Sequence, residues 1–489
     1  MTTDTQSRVA AAVDRAVEDA AASGFETTSR ADRARWLRAL ADALDADRAA
    51  LVPLAHAETH LSEARLDGEV TRTVGQLRFF AAVIEEGSYL EATIDSADAT
   101  LTPPRPALHR MLRPLGPVAV FSASNFPFAF SVLGNDTASA LAAGCPVVVK
   151  GHPGHPELSR RVAELATQAL ADAGAPSGAL SLVEGVEEGV ALVEHPSVTA
   201  VGFTGSLRGG RALFDIASAR PAPIPFYGEL GSLNPVVVTE AAAAARAAGV
   251  AEGLVGSFTR DGGQYCTKPG IVFVPSGAGL EGEVAARIPG APAQQLLTQG
   301  MSDAFARGSS ALADRDDVEV VAVGAADDAA SAPTVLAVSV DAFAAAHETF
   351  LTECFGPLTL LVRYADRAEL DRAIAVLEGS LTATIHCEPD EDVSSLTERL
   401  SRIAGRVLFN GWPTGVAIAW GQQHGGPWPA TTASIHTSVG ATAIRRWLTP
   451  LALQDAPASV LPAELAAGNP LGIPRREDGV LVVPGTERA

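Results

Sequence analysis

Between residues 31 and 59 ("ADRARWLRALADALDADRAALVPLAHAET") apolar side chains return every three or four positions, and 71–90 ("TRTVGQLRFFAAVIEEGSYL") repeats the pattern. That spacing predicts amphipathic helices. The opening stretch 1–24 predicts an acidic, alanine-rich helix, while the prolines of 98–117 ("DATLTPPRPALHRMLRPLGP") predict an extended arm or crossover. From residue 117 the rhythm changes: "PVAVFSAS", "CPVVVKG", "ALSLVEG" and "VTAVGFTG" are short apolar runs, separated by helical stretches such as "PELSRRVAELATQALADAG". Strands alternating with helices predict βαβ units and a parallel sheet covered on both faces. Ligands of such sheets bind beyond the carboxyl ends of the strands, so the residue after each run is where chemistry is expected.

A second α/β stretch runs from "NPVVVTEAAAAARAAG" at 234 through "LTLLVRYADRAELDRAIAVLEGSLTATIHC" to "GRVLFNGWPTG" at 415, and the proline-rich, charged end from 456 predicts a surface tail or clasp. The chain has 489 residues, long for one core, with 47% hydrophobic and 19% charged residues, which fits a soluble globular α/β protein. A formal charge of −21 argues against nucleic acid or an anionic membrane as partner. No charged-then-apolar leader opens the chain and no apolar run is long enough to span a bilayer, so the cytoplasm is the expected compartment. The four cysteines, Cys145, Cys266, Cys354 and Cys387, show neither CxxC nor zinc spacing. Neither a disulfide framework nor a metal site is expected from them.

Several residues stand where chemistry is expected, each with an ordinary alternative. Gly205 and Ser206, with Gly210, form a strand-to-helix turn that fits an anion site or a plain tight turn. Lys150 follows "VVV", at a cofactor's edge or simply at a strand end. Glu229, between glycines and after the apolar "PIPFY", has the surroundings that raise a carboxyl pKa toward the range of a general base. Asn125 offers an uncharged amide beside Phe126 for an oxyanion, or a turn residue before Pro127. Glu353 and Phe355 fit a ribose acid and a ring bracing a flat cofactor, or a helix cap and a core aromatic. Cys266, in "DGGQYCTKPG", is a buried filler or a nucleophile.

In chain order, "SNFP", "VVVKGHP", "FTGS", "GELGSLNP", "GQYCTKPG", "ECFGPL" and "FNGWPTG" resemble the motifs of the aldehyde dehydrogenase superfamily over roughly residues 10–450. "GQLRFFAAVIEEGSYLEATID", "QYCTKPGIVFVP" and "HGGPWPATTASIHTSVGATAIRRWLTP" are similar to its bacterial α-ketoglutaric semialdehyde (2,5-dioxovalerate) dehydrogenase branch, which also holds fatty-aldehyde dehydrogenases. The resemblance implies a Rossmann-type cofactor domain (1–89 and 113–231), an α/β catalytic domain (232–435), a small oligomerisation arm (90–112 and 436–452) and a C-terminal tail (453–489), assembled as a homodimer or homotetramer. It implies oxidation of a small aldehyde to its acid, 2,5-dioxopentanoate to 2-oxoglutarate. Cys266 is then the nucleophile, Asn125 with the Cys266 N–H the oxyanion donors, and Glu229 the base that hydrolyses the thioester.

The same resemblance assigns Lys150 and Glu353 to the two riboses, Gly205 and Ser206 to the pyrophosphate, and Phe355 to the nicotinamide. Pro153 stands where the family's NAD-selecting acid would be, which favours NADP over NAD, although Glu187 and Glu188 would repel a 2′-phosphate if they pointed inward. Phe126, Phe130 and Tyr265 are expected to wall the aldehyde's path, with Arg72 and Arg78 as candidates for a substrate carboxylate. Gly262 and Gly263 are expected to leave room for the thiol and the nicotinamide. A catalytically silent binding protein would not need Cys266, Glu229 and Asn125 together, and an acyl-CoA-forming enzyme would not need Glu229.

Overall fold

The "VAVF" run at Val118–Phe121 is buried at all four positions in the computed structural model, which describes residues 3–326 and 329–485. A strand with no exposed face needs neighbours on both edges and helices on both sides. It pairs in parallel with Val147–Lys150 and with Ala200–Thr204. Leu180–Val183 and Phe226–Glu229 complete five parallel strands, in chain order 3-2-1-4-5 from Val118–Phe121. This is the doubly wound arrangement, whose order reverses between Val118–Phe121 and Ala200–Thr204 and leaves a crevice beyond their carboxyl ends.

The helices Arg30–Ala46 and Glu63–Glu86 are defined by their ends: Ser29 and Ser62 accept the N–H of Asp32 and Arg65, and Gly87 at φ 87° stops the second. Their apolar faces, including Leu37, Leu40, Leu77 and Phe80, are buried in the core that also holds the strands of this sheet.

The second sheet has seven strands, in the order Glu319–Val323, Thr334–Ser339, Leu358–Tyr364, Ile271–Pro275, Val236–Val238, Ser380–His386 and Ala404–Phe409. All neighbours are parallel except the first pair, a hairpin at the edge. Cys266 lies on the connection between the helix Glu240–Phe258 and the strand Ile271–Pro275. The two expected α/β halves are thus both present.

A third sheet joins Leu448–Gln454, Leu108–Pro114, Thr93–Asp95, Arg475–Glu477 and Val480–Val482. It draws on both segments of the expected arm and on the expected tail, of which residues 486–489 lie outside the described residues. Trp447, fully buried, donates its indole N–H to Ser139 at 2.8 Å, and the adjoining Arg446 pairs with Asp136. Those contacts seat this sheet on the helix Asn135–Ala143 of the first.

Candidate active site

Side chains from both large sheets meet at the crevice. Glu229 ends the last strand of the first sheet, and Cys266 reaches it from the second. Beside both stands His424, from the irregular stretch that precedes the third sheet. Its Nε2 lies 3.0 Å from Glu229 Oε1 and 3.5 Å from Cys266 Sγ. Glu229 is 4% exposed and its other oxygen accepts the Ser438 hydroxyl.

Burial pushes the Glu229 carboxyl up, as expected from its apolar flank, but His424 and Ser438 outweigh it and hold the group below the usual carboxylate range. The expectation of a raised value fails because both partners come from some 200 residues further along the chain. Burial, then the Glu229 charge, pushes the Cys266 thiol well above its usual value.

The turn bearing Cys266 is held from beneath. Asn234, fully buried and at φ 49°, donates to the carbonyls of Cys266 at 2.8 Å and Lys268 at 2.9 Å, while its oxygen accepts from Ser232, Thr382 N and Thr382 Oγ1. An Asn234→Ala chain would leave these carbonyls without a donor. We expect it to lose about 2–4 kcal/mol of stability and about 10-fold in kcat, read by denaturant unfolding and steady-state rates; an unchanged midpoint and kcat would refute the clamp. Lys268, also buried, donates to the carbonyls of Cys354 at 3.0 Å and Leu358 at 2.9 Å. It thereby ties the loop bearing Glu353 and Phe355 to the same turn.

Gly263 is glycine for this closeness as well. At φ 68°, a Cβ there would stand 2.4 Å from the Gly356 carbonyl oxygen. The room expected at Gly263 for a thiol and a nicotinamide is therefore occupied by Gly356 and Pro357 backbone.

On the substrate side, Asn125 donates Nδ2 to the Gln264 carbonyl at 2.8 Å, leaving its second N–H for another acceptor. Phe126 packs edge-on against Phe130 and Tyr265, with centroids 5.5 and 5.4 Å apart. Arg65 stacks 4.7 Å over Phe126, donates to the Asn125 carbonyl at 2.8 Å and Tyr265 Oη at 3.3 Å, and pairs with Glu69 and Asp261. All of its charge is spent on holding this wall.

Arg72 and Arg406 differ. Each donates only to backbone carbonyls (Val416; Gly415 and Pro413), each leaves a buried Nε without a partner, and neither has an ion-pair partner among the described residues. Both are within electrostatic reach of the Cys266 sulfur, and burial pulls both below the usual guanidinium value. Arg78, by contrast, is on the outer face of its helix, half exposed and paired with Asp42 at 2.8 Å, so it does not join the site.

A cavity of about 1040 Å³ opens onto Cys266 from the other side, lined also by Asn125, Lys150, Ser206, Glu353 and Phe355. Ser206 Oγ caps the helix Leu207–Ala219, accepting Gly209 N–H at 3.2 Å, so the first turn of that helix borders the cavity. Bare backbone keeps the space open: a Cβ on Gly231 would stand 2.6 Å from Glu353 Oε2. Burial raises the Glu353 carboxyl to about 7 against the pull of Lys268. An ammonium, a helix N-terminus and a carboxyl along one large cavity fit a nicotinamide dinucleotide, whose phosphates and riboses need those three kinds of partner.

His424, Asn234, Lys268, Arg65 and Arg406 were not singled out from the sequence. Asn234 and Lys268 lie within the quoted motifs and His424 opens "HGGPWP", but only the fold shows what each touches.

The profile of the aldehyde dehydrogenase family matches residues 1–428. The α-ketoglutaric semialdehyde dehydrogenase 2 of Azospirillum brasilense is 47% identical over 479 residues, covering 96% of this chain and 91% of that protein. The α-ketoglutaric semialdehyde dehydrogenase of Acinetobacter baylyi is 40% identical over 465 residues, covering 94% and 88%. Among solved structures, the proline utilization A mutant D779W of Bradyrhizobium japonicum superposes with a TM-score of 0.78 at 24% identity, over 91% of this chain and 45% of that one.

Proposed function

Because the chain belongs to the aldehyde dehydrogenase family and so is an NAD(P)-dependent oxidoreductase converting an aldehyde to its acid, we propose that its substrate carries a carboxylate at the far end, with 2,5-dioxopentanoate giving 2-oxoglutarate. One observation carries this reading: Arg72 and Arg406, neither with an ion-pair partner among the described residues, both act electrostatically on Cys266. A buried guanidinium without a hydrogen-bonded counter-ion is costly, and a substrate carboxylate would supply that contact. The names of both curated relatives point the same way.

Arg72→Met and Arg406→Met should each raise KM for 2,5-dioxopentanoate about 10- to 100-fold while leaving KM for an uncharged short aldehyde within about 3-fold. A wild-type enzyme that preferred a long aliphatic aldehyde in a substrate panel would replace this reading with a fatty-aldehyde one.

In the reaction, Cys266 Sγ attacks the aldehyde carbon. It attacks as the thiolate, its proton leaving through the cavity that Cys266 lines, while His424 Nε2 stands 3.5 Å from the sulfur and 3.0 Å from Glu229 Oε1. The free Asn125 N–H and the Cys266 backbone N–H hold the resulting oxyanion. The bound nicotinamide supplies the chemistry of a hydride acceptor. Glu229 then takes a proton from the water that releases the acyl group from sulfur, and the Phe126, Phe130 and Tyr265 wall restricts access from the substrate side.

For the cofactor, Lys150 and Glu353 would hold the riboses, Gly205 and Ser206 the pyrophosphate, and Phe355 the nicotinamide end. NADP is favoured with NAD also used. Pro153 lines the cavity and Glu187 and Glu188 do not, but the Glu188 charge acts on Lys150, which does, and this works against a 2′-phosphate and keeps NAD in use. Homodimers or homotetramers would use the third sheet, where Leu451, Val480 and Leu481 are exposed. No helix of the described residues is long and apolar enough to cross a membrane.

A further inference from the structure

Cys266, His424 and Glu229 have a second chemical property besides the one the reaction uses. Their sulfur, nitrogen and oxygen atoms all lie within 4.8 Å of one another. A tetrahedral zinc with bonds of about 2.3 Å to sulfur and about 2.0 Å to nitrogen and oxygen has a sulfur–nitrogen edge near ~3.5 Å and a nitrogen–oxygen edge near ~3.3 Å. The corresponding distances here are 3.5 Å, from Cys266 to His424, and 3.0 Å, from His424 to Glu229. The first matches and the second is short by an amount that a small rotation of the carboxylate removes.

The imidazole makes polar contacts only through Nε2 and only to the other two members; Nδ1 is buried without a partner among the described residues. Cys266 and Glu229 both line the large cavity, so a fourth position is open to water. We propose that these three side chains form a zinc-binding site whose occupation silences the enzyme by taking the Cys266 sulfur out of reach of the aldehyde. The silencing rests on Cys266 being the nucleophile; the binding does not.

Thiolate, imidazole and carboxylate together suit zinc or cobalt and not magnesium or calcium, which take oxygen ligands. Binding replaces the S–H bond with an S–Zn bond and sends that proton to solvent, while the imidazole proton moves from Nε2 to Nδ1 to free the ligating lone pair. No electron is transferred. The thiolate and carboxylate together offset the two charges of the metal, which counters the repulsion from Arg72 and Arg406.

The test uses the full-length, reduced protein and cobalt(II) as probe. One equivalent should give sulfur-to-cobalt charge-transfer absorption and the strong visible bands of a four-coordinate ion, both erased by zinc. His424→Ala and Glu229→Gln should each weaken cobalt binding at least about 10-fold, by the loss of one ligand. On the unmutated protein, zinc should slow iodoacetamide labelling of Cys266, read by peptide mass, and block aldehyde oxidation until a chelator restores it. No four-coordinate spectrum at one equivalent, or binding unaltered in His424→Ala, overturns the site. Cobalt bound as described with aldehyde oxidation undiminished overturns the silencing, and with it the nucleophile reading, while the site stands.

Discussion

Cys266→Ser is expected to lower kcat by about 10⁴-fold or more while leaving cofactor affinity within about 2-fold. The serine hydroxyl fits the same space and is bordered by the same His424, yet its proton is far harder to remove than a thiol's. Its neighbours make matters worse: burial and the charge of Glu229 already push the Cys266 thiol well up, and the same surroundings disfavour an alkoxide still more. Cofactor binding is spared because Lys150, Ser206 and Glu353 line other parts of the cavity. The measurements are aldehyde-dependent nicotinamide absorbance and a cofactor titration by fluorescence. Activity within about 100-fold of wild type would show that another group attacks the aldehyde.

Glu229→Gln separates the two halves of the reaction. The amide keeps the size of the carboxylate and a contact to Ser438, but it cannot accept a proton from water. Rapid mixing should therefore show about one equivalent of reduced cofactor per site, followed by turnover slowed about 10²- to 10⁴-fold. The pH dependence has a definite sign. Because His424 and Ser438 hold Glu229 below the usual carboxylate range, the base stays ionised as pH falls through 5. A wild-type decline above that pH then belongs to another group, and it should persist as the pH dependence of the burst in Glu229→Gln. A variant with no burst and no turnover would mean that Glu229 is needed before hydride leaves the substrate.

The parts of the molecule that were legible in the sequence are those where local pattern and tertiary need coincide. "VAVF", "VVVK" and "AVGFT" are strands because they are buried between layers, and their apolar composition says so. The residues at or just beyond their carboxyl ends, Asn125, Lys150 and Ser206, border the cavity for the same reason. Arg65, Arg72 and Arg78 lie on one helix, and helical spacing does not distinguish them. Burial does: the first braces the wall behind Asn125, the second has no ion-pair partner among the described residues and acts electrostatically on Cys266, and the third pairs with Asp42 at the surface. His424 was hidden differently. It sits 158 residues beyond Cys266, in a stretch without helix or strand, where no period points to a direction. Arg475–Glu477 and Val480–Val482 are three-residue strands whose partners lie far back in the chain or across a tight turn, too short to stand out from a charged tail.

Asn234 and Lys268 fix the nucleophile to one sheet, while the carboxylate that must activate the hydrolytic water ends the other. The reacting atoms therefore come from two different sheets, and their spacing depends on how those sheets are packed together. A relative rotation of about 5° between the halves, acting over an arm of ~10 Å, displaces sulfur from carboxylate by about 1 Å, enough to cost on the order of 100-fold in rate. Catalysis here is a gauge of how the two halves are seated, so substitutions buried between them will register as slow enzymes well before they register as unstable ones.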